Sequence, residues 1–247
     1  MTLPEKPWYE TAFESEYLEV YAHRDLESAR REVDWLVGQG VGGCTLDLCC
    51  GFGRHSLALL ERGVAVFGLD LSQDLLASTD RLEGGERLGG RLVRGDVRFL
   101  PFADEQFDSL VNLFSSFGYF GLEGDERVLD EIARVLRPGG RLVMDLMNPD
   151  RIRDHLKPYS QTERDGMLLE EHRRLVDGGQ RVTKQVRLVD RSGLEKRWVE
   201  DVRLYETAHI EALLAARRIA IERVVGDFGG APFGREATRQ LVVARSR

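Results

Sequence analysis

The chain has few cysteines and no apolar run long enough to cross a bilayer. Its three cysteines, Cys44, Cys49 and Cys50, all fall within one predicted strand and the turn after it. Neighbouring residues on a strand point to opposite faces, so this arrangement does not support a disulfide framework. No second cluster of cysteine and histidine completes a four-ligand zinc site. We therefore expect neither disulfides nor a structural metal.

Targeting segments and positive charge are also scarce. The N-terminal residues lack the basic, apolar and small-residue regions of a secretion signal, and no stretch approaches the roughly 18 to 20 apolar residues of a membrane span. A cytoplasmic protein without membrane contact is expected. The formal net charge is -7, whereas a protein that binds duplex DNA usually presents a basic face to the phosphates. The charge therefore argues against a nucleic acid partner and favours a small-molecule substrate.

The overall composition is that of a folded globular protein. Of the 247 residues, 42% are apolar and 31% are charged, which is compatible with a single large domain over residues 1–247. Two helical patterns of apolar residues occupy positions 8–37. We predict that residues 1–40 form an N-terminal helical lid or cap.

Apolar strands alternate with helical segments through the first half of the chain. The predicted strands are 44–48, 64–69, 91–94, 107–113 and 141–146, and the predicted helices between them are 54–62, 73–82 and 126–136. Ser72 is a suitable N-cap for the second of these helices, because its hydroxyl can accept a hydrogen bond from a free helix N–H. The alternation predicts parallel βαβ units and a doubly wound α/β sheet.

A different pattern follows Asn148. Three strand-like segments with alternating polar residues, at 168–176, 182–189 and 197–205, are separated by glycine turns and indicate an antiparallel meander inserted over about residues 160–206. A last helix and two last strands are predicted at 208–217, 219–225 and 240–244. The expected fold is a mostly parallel seven-stranded sheet with a C-terminal antiparallel hairpin. The insertion is expected to cover the active site or to form the contact of a homodimer.

The strongest chemical signal is a glycine turn between the first strand and its helix. Residues 45–63 read TLDLCCGFGRHSLALLERG. Gly51 and Gly53 lack a Cβ atom, so a ligand can approach the backbone, and the free N–H groups of the next helix suit a carboxylate, a phosphate or a ribose. A dinucleotide-binding protein has the same layout, but its G-x-G-x-x-G pattern requires glycine where this chain has Ser56. An NAD-dependent oxidoreductase is therefore a disfavoured alternative.

Two carboxylates follow the next two strands. Asp70 ends the second strand, where it can accept hydrogen bonds from both hydroxyls of an adenosine ribose. Asp96 lies just past the third strand and can accept a hydrogen bond from the exocyclic amine of adenine, with Leu71 and Val97 on the two faces of the ring. The alternatives are a simple strand-end aspartate at position 70 and a turn aspartate after Gly95.

Together these segments resemble a known family. The ordered set LDLCCGFGRH, GLDLS, GDVRFLPF, FDSLVNLFSSFGYF and RVLRPGGRLVMDLMN is similar to the class I, Rossmann-like methyltransferases that use S-adenosylmethionine (SAM). The resemblance covers about residues 30–148. The N-terminal WYETAFESEYLEVY and a late GDFGGAPFGREATRQLVVARS also look like a widespread subgroup whose substrates are mostly uncharacterised. The resemblance implies a methyltransferase with SAM as its cofactor.

The same resemblance implies roles for individual residues. The turn at 49–53, with Cys49, Gly51 and Gly53, would hold the methionine part of SAM, and Asp70 and Asp96 would hold its ribose and adenine. Asn112 and Leu113 would lie near the sulfonium. The family often has glycine where this chain has Cys49. The Asn-Pro-Pro-Tyr type motif of enzymes that methylate the amino groups of adenine or glutamine is absent, which weakens those substrates.

Several aromatic residues and one histidine have two possible roles. Tyr21, Tyr17 and Tyr9 could close over the methyl group as a lid or could pack the N-terminal helix on the sheet. His55 could contact the ligand or could only begin the helix. The four rings after the fourth strand could line an acceptor pocket or belong to the core; they are Phe114, Phe117, Tyr119 and Phe120.

The sequence therefore predicts methyl transfer from SAM, by in-line displacement, to a small molecule that it does not identify. Such a reaction needs no nucleophilic triad, because the cofactor supplies the activated leaving group, and no catalytic residue is assigned. Two alternatives remain open. One is a protein that binds SAM without catalysis, and the other is a methyltransferase that acts on RNA or on protein.

Overall fold

A seven-stranded sheet organises the chain. The computed structural model describes residues 7–13, 25–164 and 166–247. The strands of this sheet are β1 (Cys44–Leu48), β2 (Ala65–Asp70), β3 (Leu92–Arg94), β4 (Phe107–Asn112), β5 (Leu136–Leu146), β10 (Ile219–Val225) and β11 (Gln240–Ser246). Their spatial order is β3-β2-β1-β4-β5-β11-β10, with β1 to β5 parallel to one another and β11 antiparallel to both β5 and β10. The predicted fold class is confirmed, including the C-terminal antiparallel hairpin.

Helices cover both faces of this sheet. They are α1 (Trp8–Thr11), α2 (Leu26–Gly38), α3 (Arg54–Glu61), α4 (Gln73–Ala77), α5 (Gly121–Val135), α6 (Pro149–His155) and α7 (Thr207–Ala215), with 3-10 turns at Ser78–Arg81, Gly85–Leu88 and Asp177–Gly179. Successive strand residues point to opposite faces, so each apolar strand supplies two cores. Leu110 packs with the side that α5 and α7 cover, and its neighbour Val111 packs with the side that α2 and α3 cover.

A separate antiparallel sheet carries the inserted segment. Its strands are β6 (Tyr159–Arg164), β7 (Met167–Val176), β8 (Arg181–Val189) and β9 (Glu195–Arg203), in that spatial order. Its apolar side chains Val186, Leu188 and Trp198 pack against Ala12, Trp8 and Phe13 of the N-terminal segment. The sequence predicts the three later strands and misses β6, which is polar and exposed and therefore has no alternating apolar pattern.

Two helix boundaries differ from the prediction for local reasons. Helix α5 begins at Gly121 rather than at about residue 126. Two glycines in its first turn hide the start, because glycine is a poor helix former, and a Cβ atom at Gly124 would lie 2.5 Å from the Cβ of Phe120. Helix α4 ends at Ala77, and a 3-10 turn continues the segment to Arg81. Among the described residues, no helix is both long and apolar enough to span a membrane.

Candidate active site

A cavity opens at the carboxyl ends of the central parallel strands. It is partly open to solvent, and its lining combines apolar and aromatic side chains with a few carboxylates, as small-molecule sites do. Open α/β sheets bind ligands at this edge, outside the strand ends. The lining residues come from the loops after β1, β2, β3 and β4 and from the N-terminal segment: Tyr9, Phe13, Asp47, Cys49, Cys50, Gly51, Phe52, Arg54, His55, Asp70, Leu71, Leu75, Gly95, Asp96, Val97, Leu113, Phe114, Ser116, Tyr119 and Phe120.

The turn after β1 has the left-handed backbone that glycine favours. Gly51 has φ 58° and Gly53 has φ 87°. Gly53 caps α3, and a Cβ atom there would lie 2.8 Å from Cδ1 of Leu88, so a side chain does not fit without movement. Cys49 adopts φ 58° as well, which costs a residue with a Cβ atom about 1 to 2 kcal/mol. This geometry explains why glycine is the easier residue at position 49.

Asp70 connects this turn to the end of β2. Its Oδ2 accepts a hydrogen bond from the N–H of Gly51 at 2.8 Å, and its Oδ1 accepts one from the N–H of Ser72 at 2.8 Å. Burial raises the pKa of Asp70, while the backbone N–H groups act in the opposite direction. The two bonds fix the carboxylate at the cavity wall, and each oxygen keeps a lone pair for another donor.

Asp96 lies across the cavity at the end of β3 and is already paired. Arg98 donates to both of its carboxylate oxygens, with the Nη2 to Oδ2 distance at 2.6 Å. Burial raises the pKa of Asp96, but the hydrogen bonds from Arg98 outweigh it and lower the pKa overall. The guanidinium of Arg98 also stacks on the ring of Phe120 at 4.5 Å and on that of Tyr9 at 5.5 Å. An amine that bonds to Asp96 would have to share it with Arg98.

A third carboxylate, Asp47, lies beneath the turn. Its Oδ2 accepts a hydrogen bond of 2.7 Å from the hydroxyl of Ser56. Burial raises the pKa of Asp47 to about 7, although the Ser56 hydroxyl and the charge of Arg54 act in the opposite direction. Ser56 occupies the position where the dinucleotide pattern has glycine. The Ser56 hydroxyl thus donates to a carboxylate, at a position where the glycine of a dinucleotide-binding protein has no side chain.

A buried ionic group closes one end of the cavity. His55 Nε2 lies 2.5 Å from Oε2 of Glu32 on α2, and Nη1 of Arg54 lies 3.3 Å from the same oxygen. Burial lowers the pKa of His55 to about 4, so its imidazole is neutral at pH 7. A neutral imidazole that faces a carboxylate donates from Nε2, which leaves Nδ1 as the acceptor. His55 lines the cavity and is the second residue of α3.

Four aromatic side chains form the opposite wall, which we name the ring wall: Tyr9, Phe13, Tyr119 and Phe120. The rings of Tyr9 and Phe120 meet edge to face at 4.8 Å, and those of Phe13 and Tyr119 are stacked at 6.0 Å. Trp8 supports the wall from behind, 4.8 Å from Tyr119. The hydroxyl of Ser72 donates to the carbonyl of Phe13 at 2.5 Å and so ties the N-terminal segment to the cavity rim.

Phe114 stands between two arginines at the end of β4. Its ring centroid lies 5.6 Å from the guanidinium of Arg54 and 5.5 Å from that of Arg239. Phe114 and Ser115 both have left-handed backbones, with φ 66° and φ 57°. Asp145 holds this strained turn, because its Oδ2 accepts from the N–H of Phe114 at 2.9 Å and from Arg239 at 2.6 Å. Strained non-glycine backbone of this kind is typical of ligand sites.

The structure brings together seven of the ten residues that the sequence predicts for the cofactor: Cys49, Gly51, Asp70, Leu71, Asp96, Val97 and Leu113. Gly53 shapes the turn without lining the cavity. Asn112 is buried behind the wall, where its amide donates to the carbonyls of Leu48 at 3.4 Å and Ser116 at 3.3 Å. Tyr21, like Tyr17, lies outside the described residues.

Other cavity residues escape the sequence reasoning. Arg54 is one residue past the glycine turn, and its burial could not be read from the sequence. Phe13 belongs to a helical apolar pattern that usually indicates core packing. Of the four rings with two readings, Phe114, Tyr119 and Phe120 line the cavity, and Phe117 is buried in the core.

Sequence comparison identifies the central segment. Residues 45–140 match the family described as "Methyltransferase domain". A demethylmenaquinone methyltransferase of Thermobifida fusca is 38% identical over 104 residues, which cover 42% of this chain and 43% of that protein. A demethylmenaquinone methyltransferase of Thermus thermophilus is 38% identical over 122 residues, covering 49% of this chain and 54% of that protein. The chain thus spans about half the length of the curated relatives that it matches.

Solved structures match the whole fold at low sequence identity. An S-adenosylmethionine-dependent methyltransferase from Clostridium acetobutylicum superposes with a TM-score of 0.78 and 18% identity, covering 94% of this chain and 96% of that one. The sugar N-methyltransferase KedS8 from Streptoalloteichus superposes with a TM-score of 0.70 and 24% identity, covering 100% and 99%. Residues 45–140 match the methyltransferase domain family, and the fold is the one that the S-adenosylmethionine-dependent methyltransferase from Clostridium acetobutylicum adopts. The resemblance seen in the sequence is confirmed.

Proposed function

We propose that this protein binds SAM in the cavity and transfers its methyl group to a small-molecule acceptor. The observation that carries the proposal is Asp70, whose carboxylate is held by the N–H groups of Gly51 and Ser72 at the cavity wall. A rigid acceptor pair at the end of the second strand suits the two hydroxyls of an adenosine ribose. The matched methyltransferase segment, residues 45–140, contains this aspartate.

The residues present fit SAM better than a pyrophosphate cofactor. Three carboxylates line the cavity, those of Asp47, Asp70 and Asp96. Carboxylates near a ligand favour positive charge and hydroxyl donors and repel phosphates. Leu71 and Val97 supply apolar contacts for a flat base beside Asp96. Asp96 is paired with Arg98 and the pKa of Asp47 is raised to about 7, so the argument against NAD depends mainly on Asp70 and on Ser56, which occupies the position where the dinucleotide pattern has glycine.

In the proposed mechanism the chain binds the cofactor, orients it toward the acceptor and shields both from water. When bound, SAM supplies a methyl group on a sulfonium, which is an activated leaving group. Asp70 and Asp96 would hold the adenosine, and the turn at Cys49 and Gly51 would accommodate the methionine part. The N-terminal segment would exclude water above it. Alignment of two reactants can lower a barrier by about 7 to 11 kcal/mol, so positioning alone accounts for a large rate enhancement.

The acceptor is proposed to be a small molecule. The described lining comes from the N-terminal segment on one side and from the loop after β4 on the other, and the formal net charge of -7 disfavours a nucleic acid as the acceptor. The curated relatives match only the cofactor half of this chain, so their names do not identify its acceptor.

We propose one methyltransferase unit over residues 1–247, with residues 1–40 as its lid.

Replacement of Asp70 tests the proposal. We expect Asp70→Asn to weaken 5′-methylthioadenosine binding at least tenfold, because the amide keeps the side-chain size but loses one acceptor oxygen and the charge. The 2′,3′-dideoxy analogue of the same compound should bind both proteins equally, since it has no hydroxyls to lose. Isothermal titration calorimetry measures all four affinities.

The control variant is Asp74→Asn, which changes an exposed aspartate on α4. It should bind 5′-methylthioadenosine like the native protein. If Asp70→Asn weakens the dideoxy analogue as much as the parent compound, Asp70 acts through the fold and its ribose role is wrong. If the native protein binds neither SAM nor S-adenosylhomocysteine, the proposed function is wrong.

A further inference from the structure

The ring wall has more aromatic surface than a single adenosine needs. Tyr9 and Phe120 border the adenine end of the cavity, because Arg98 stacks on both rings while it pairs with Asp96. Phe13 and Tyr119 extend the wall away from that end, and their rings are stacked with an angle of 19° between their planes. Adenine already has two apolar neighbours of its own in Leu71 and Val97. Phe13 and Tyr119 therefore add further aromatic surface to the cavity lining.

From this arrangement, and resting on the proposed function, we infer that the methyl acceptor is a planar aromatic molecule that packs against Phe13 and Tyr119 of the ring wall. Aromatic pairs attract each other in stacked and edge-to-face arrangements with ring centroids about 4.5 to 7 Å apart, beyond what buried area alone provides. The acceptor would lie between this wall and the cofactor floor formed by the strand ends.

The wall is rigid enough to select a shape. Trp8 meets Phe13 at 5.9 Å and Tyr119 at 4.8 Å, so both rings have a third ring behind them. The carbonyl of Phe13 is held by the hydroxyl of Ser72. Side chains locked by their neighbours lose little entropy when a ligand binds, which favours a flat partner over a puckered one.

A matched pair of probes tests the inference on the native protein saturated with S-adenosylhomocysteine. We expect 2-naphthol to bind at least tenfold more tightly than 2-decalol, its fully saturated and non-planar counterpart. Calorimetry on the same preparation measures both. Equal affinities, or no binding of 2-naphthol, would overturn the inference, while S-adenosylhomocysteine binding reports separately on the proposed function.

Two variants locate the probe. Tyr119→Leu and Phe13→Leu replace a ring by an apolar side chain, and each should weaken 2-naphthol about threefold to tenfold with little change for 2-decalol. Phe99→Leu is the control, because Phe99 is 61% exposed and does not line the cavity. If the two variants weaken binding of S-adenosylhomocysteine and leave binding of 2-naphthol unchanged, Phe13 and Tyr119 contact the cofactor and the inference is wrong. If either variant fails to fold, the comparison of 2-naphthol with 2-decalol on the native protein still tests the inference.

Discussion

Asp47 is a buried carboxylate at the cavity whose ionisation costs stability. It is 1% exposed, and within the part of the chain that the structure describes it accepts one side-chain hydrogen bond, from the hydroxyl of Ser56. Burial raises its pKa from 3.8 to about 7, so ionisation is costly in the folded protein and cheap in the unfolded chain. A raised pKa in the folded state means that stability falls as the pH rises from about 4 to about 7.

The stability of Asp47→Asn should therefore depend on pH. At pH 8 we expect the variant to gain free energy of unfolding relative to the native protein, with an upper limit of about 4 kcal/mol from the pKa shift. The unpaired amide hydrogens of the asparagine reduce this gain. At pH 4 the gain should vanish. Urea denaturation at several pH values measures the difference; a constant difference between pH 4 and 8 would contradict this account.

At the scale of elements, the N-terminal segment joins two parts of the fold that share no sheet. Trp8 and Phe13 pack on the inserted sheet together with the buried Ala12. Tyr9 and Phe13 also line the cavity on the other side. The inserted sheet thus packs against the segment that carries two cavity residues, and its role as a cover or as a dimer contact stays a prediction.

Displacing the N-terminal segment from the inserted sheet should weaken binding of the cofactor product. Ala12 is 4% exposed against the inserted sheet, so Ala12→Asp would place an unpaired charge in an apolar contact. We expect S-adenosylhomocysteine to bind about tenfold less tightly, a loss of about 1.4 kcal/mol, because Tyr9 leaves the adenine end of the cavity. Thr11→Asp is the matched control, since residue 11 is exposed. Equal affinities for the two variants, measured by calorimetry, would show that the roof does not contribute to binding.

At the scale of the whole molecule, the site is assembled from segments far apart in the chain. Asp47, Asp70 and Asp96 come from three strand ends that the parallel sheet brings to one edge. A ligand that contacts all three binds only the folded protein. Its binding free energy therefore adds to the stability of the entire domain.

Saturating ligand should raise the melting temperature, and the identity of the ligand should matter. S-adenosylhomocysteine at a hundredfold excess over its Kd would stabilise the fold by about 2.7 kcal/mol. For a domain of this size that corresponds to a rise of roughly 5 to 11 °C. NAD at the same concentration should leave the melting temperature unchanged, because its phosphates face the cavity carboxylates. Calorimetric scans with each compound make the comparison, and a rise with NAD alone would reverse the choice of cofactor.

Much of the fold could be predicted because its signals are local. Apolar runs such as Cys44–Leu48 and Ile219–Val225 are strands with the same bounds in the structure, since a strand buried on both faces excludes polar residues. The exposed strand Tyr159–Arg164 and the short helix Pro149–His155 were missed. Neither segment has a regular alternation of apolar and polar residues that would indicate a strand or a helix. Their conformations are therefore selected by pairing and packing with distant segments.

The sequence by itself determined the order of strands and helices, the glycine turn with its left-handed backbone, and the placement of Asp70 and Asp96 after successive strands. These depend on neighbours in the chain. Only the tertiary structure decided that Arg98 pairs with Asp96, that Glu32 faces His55 and that Phe13 joins Tyr119 in one wall. The partners in the last two pairs are 23 and 106 residues apart in the chain, so their meeting depends on how the sheet, the helices and the N-terminal segment pack together.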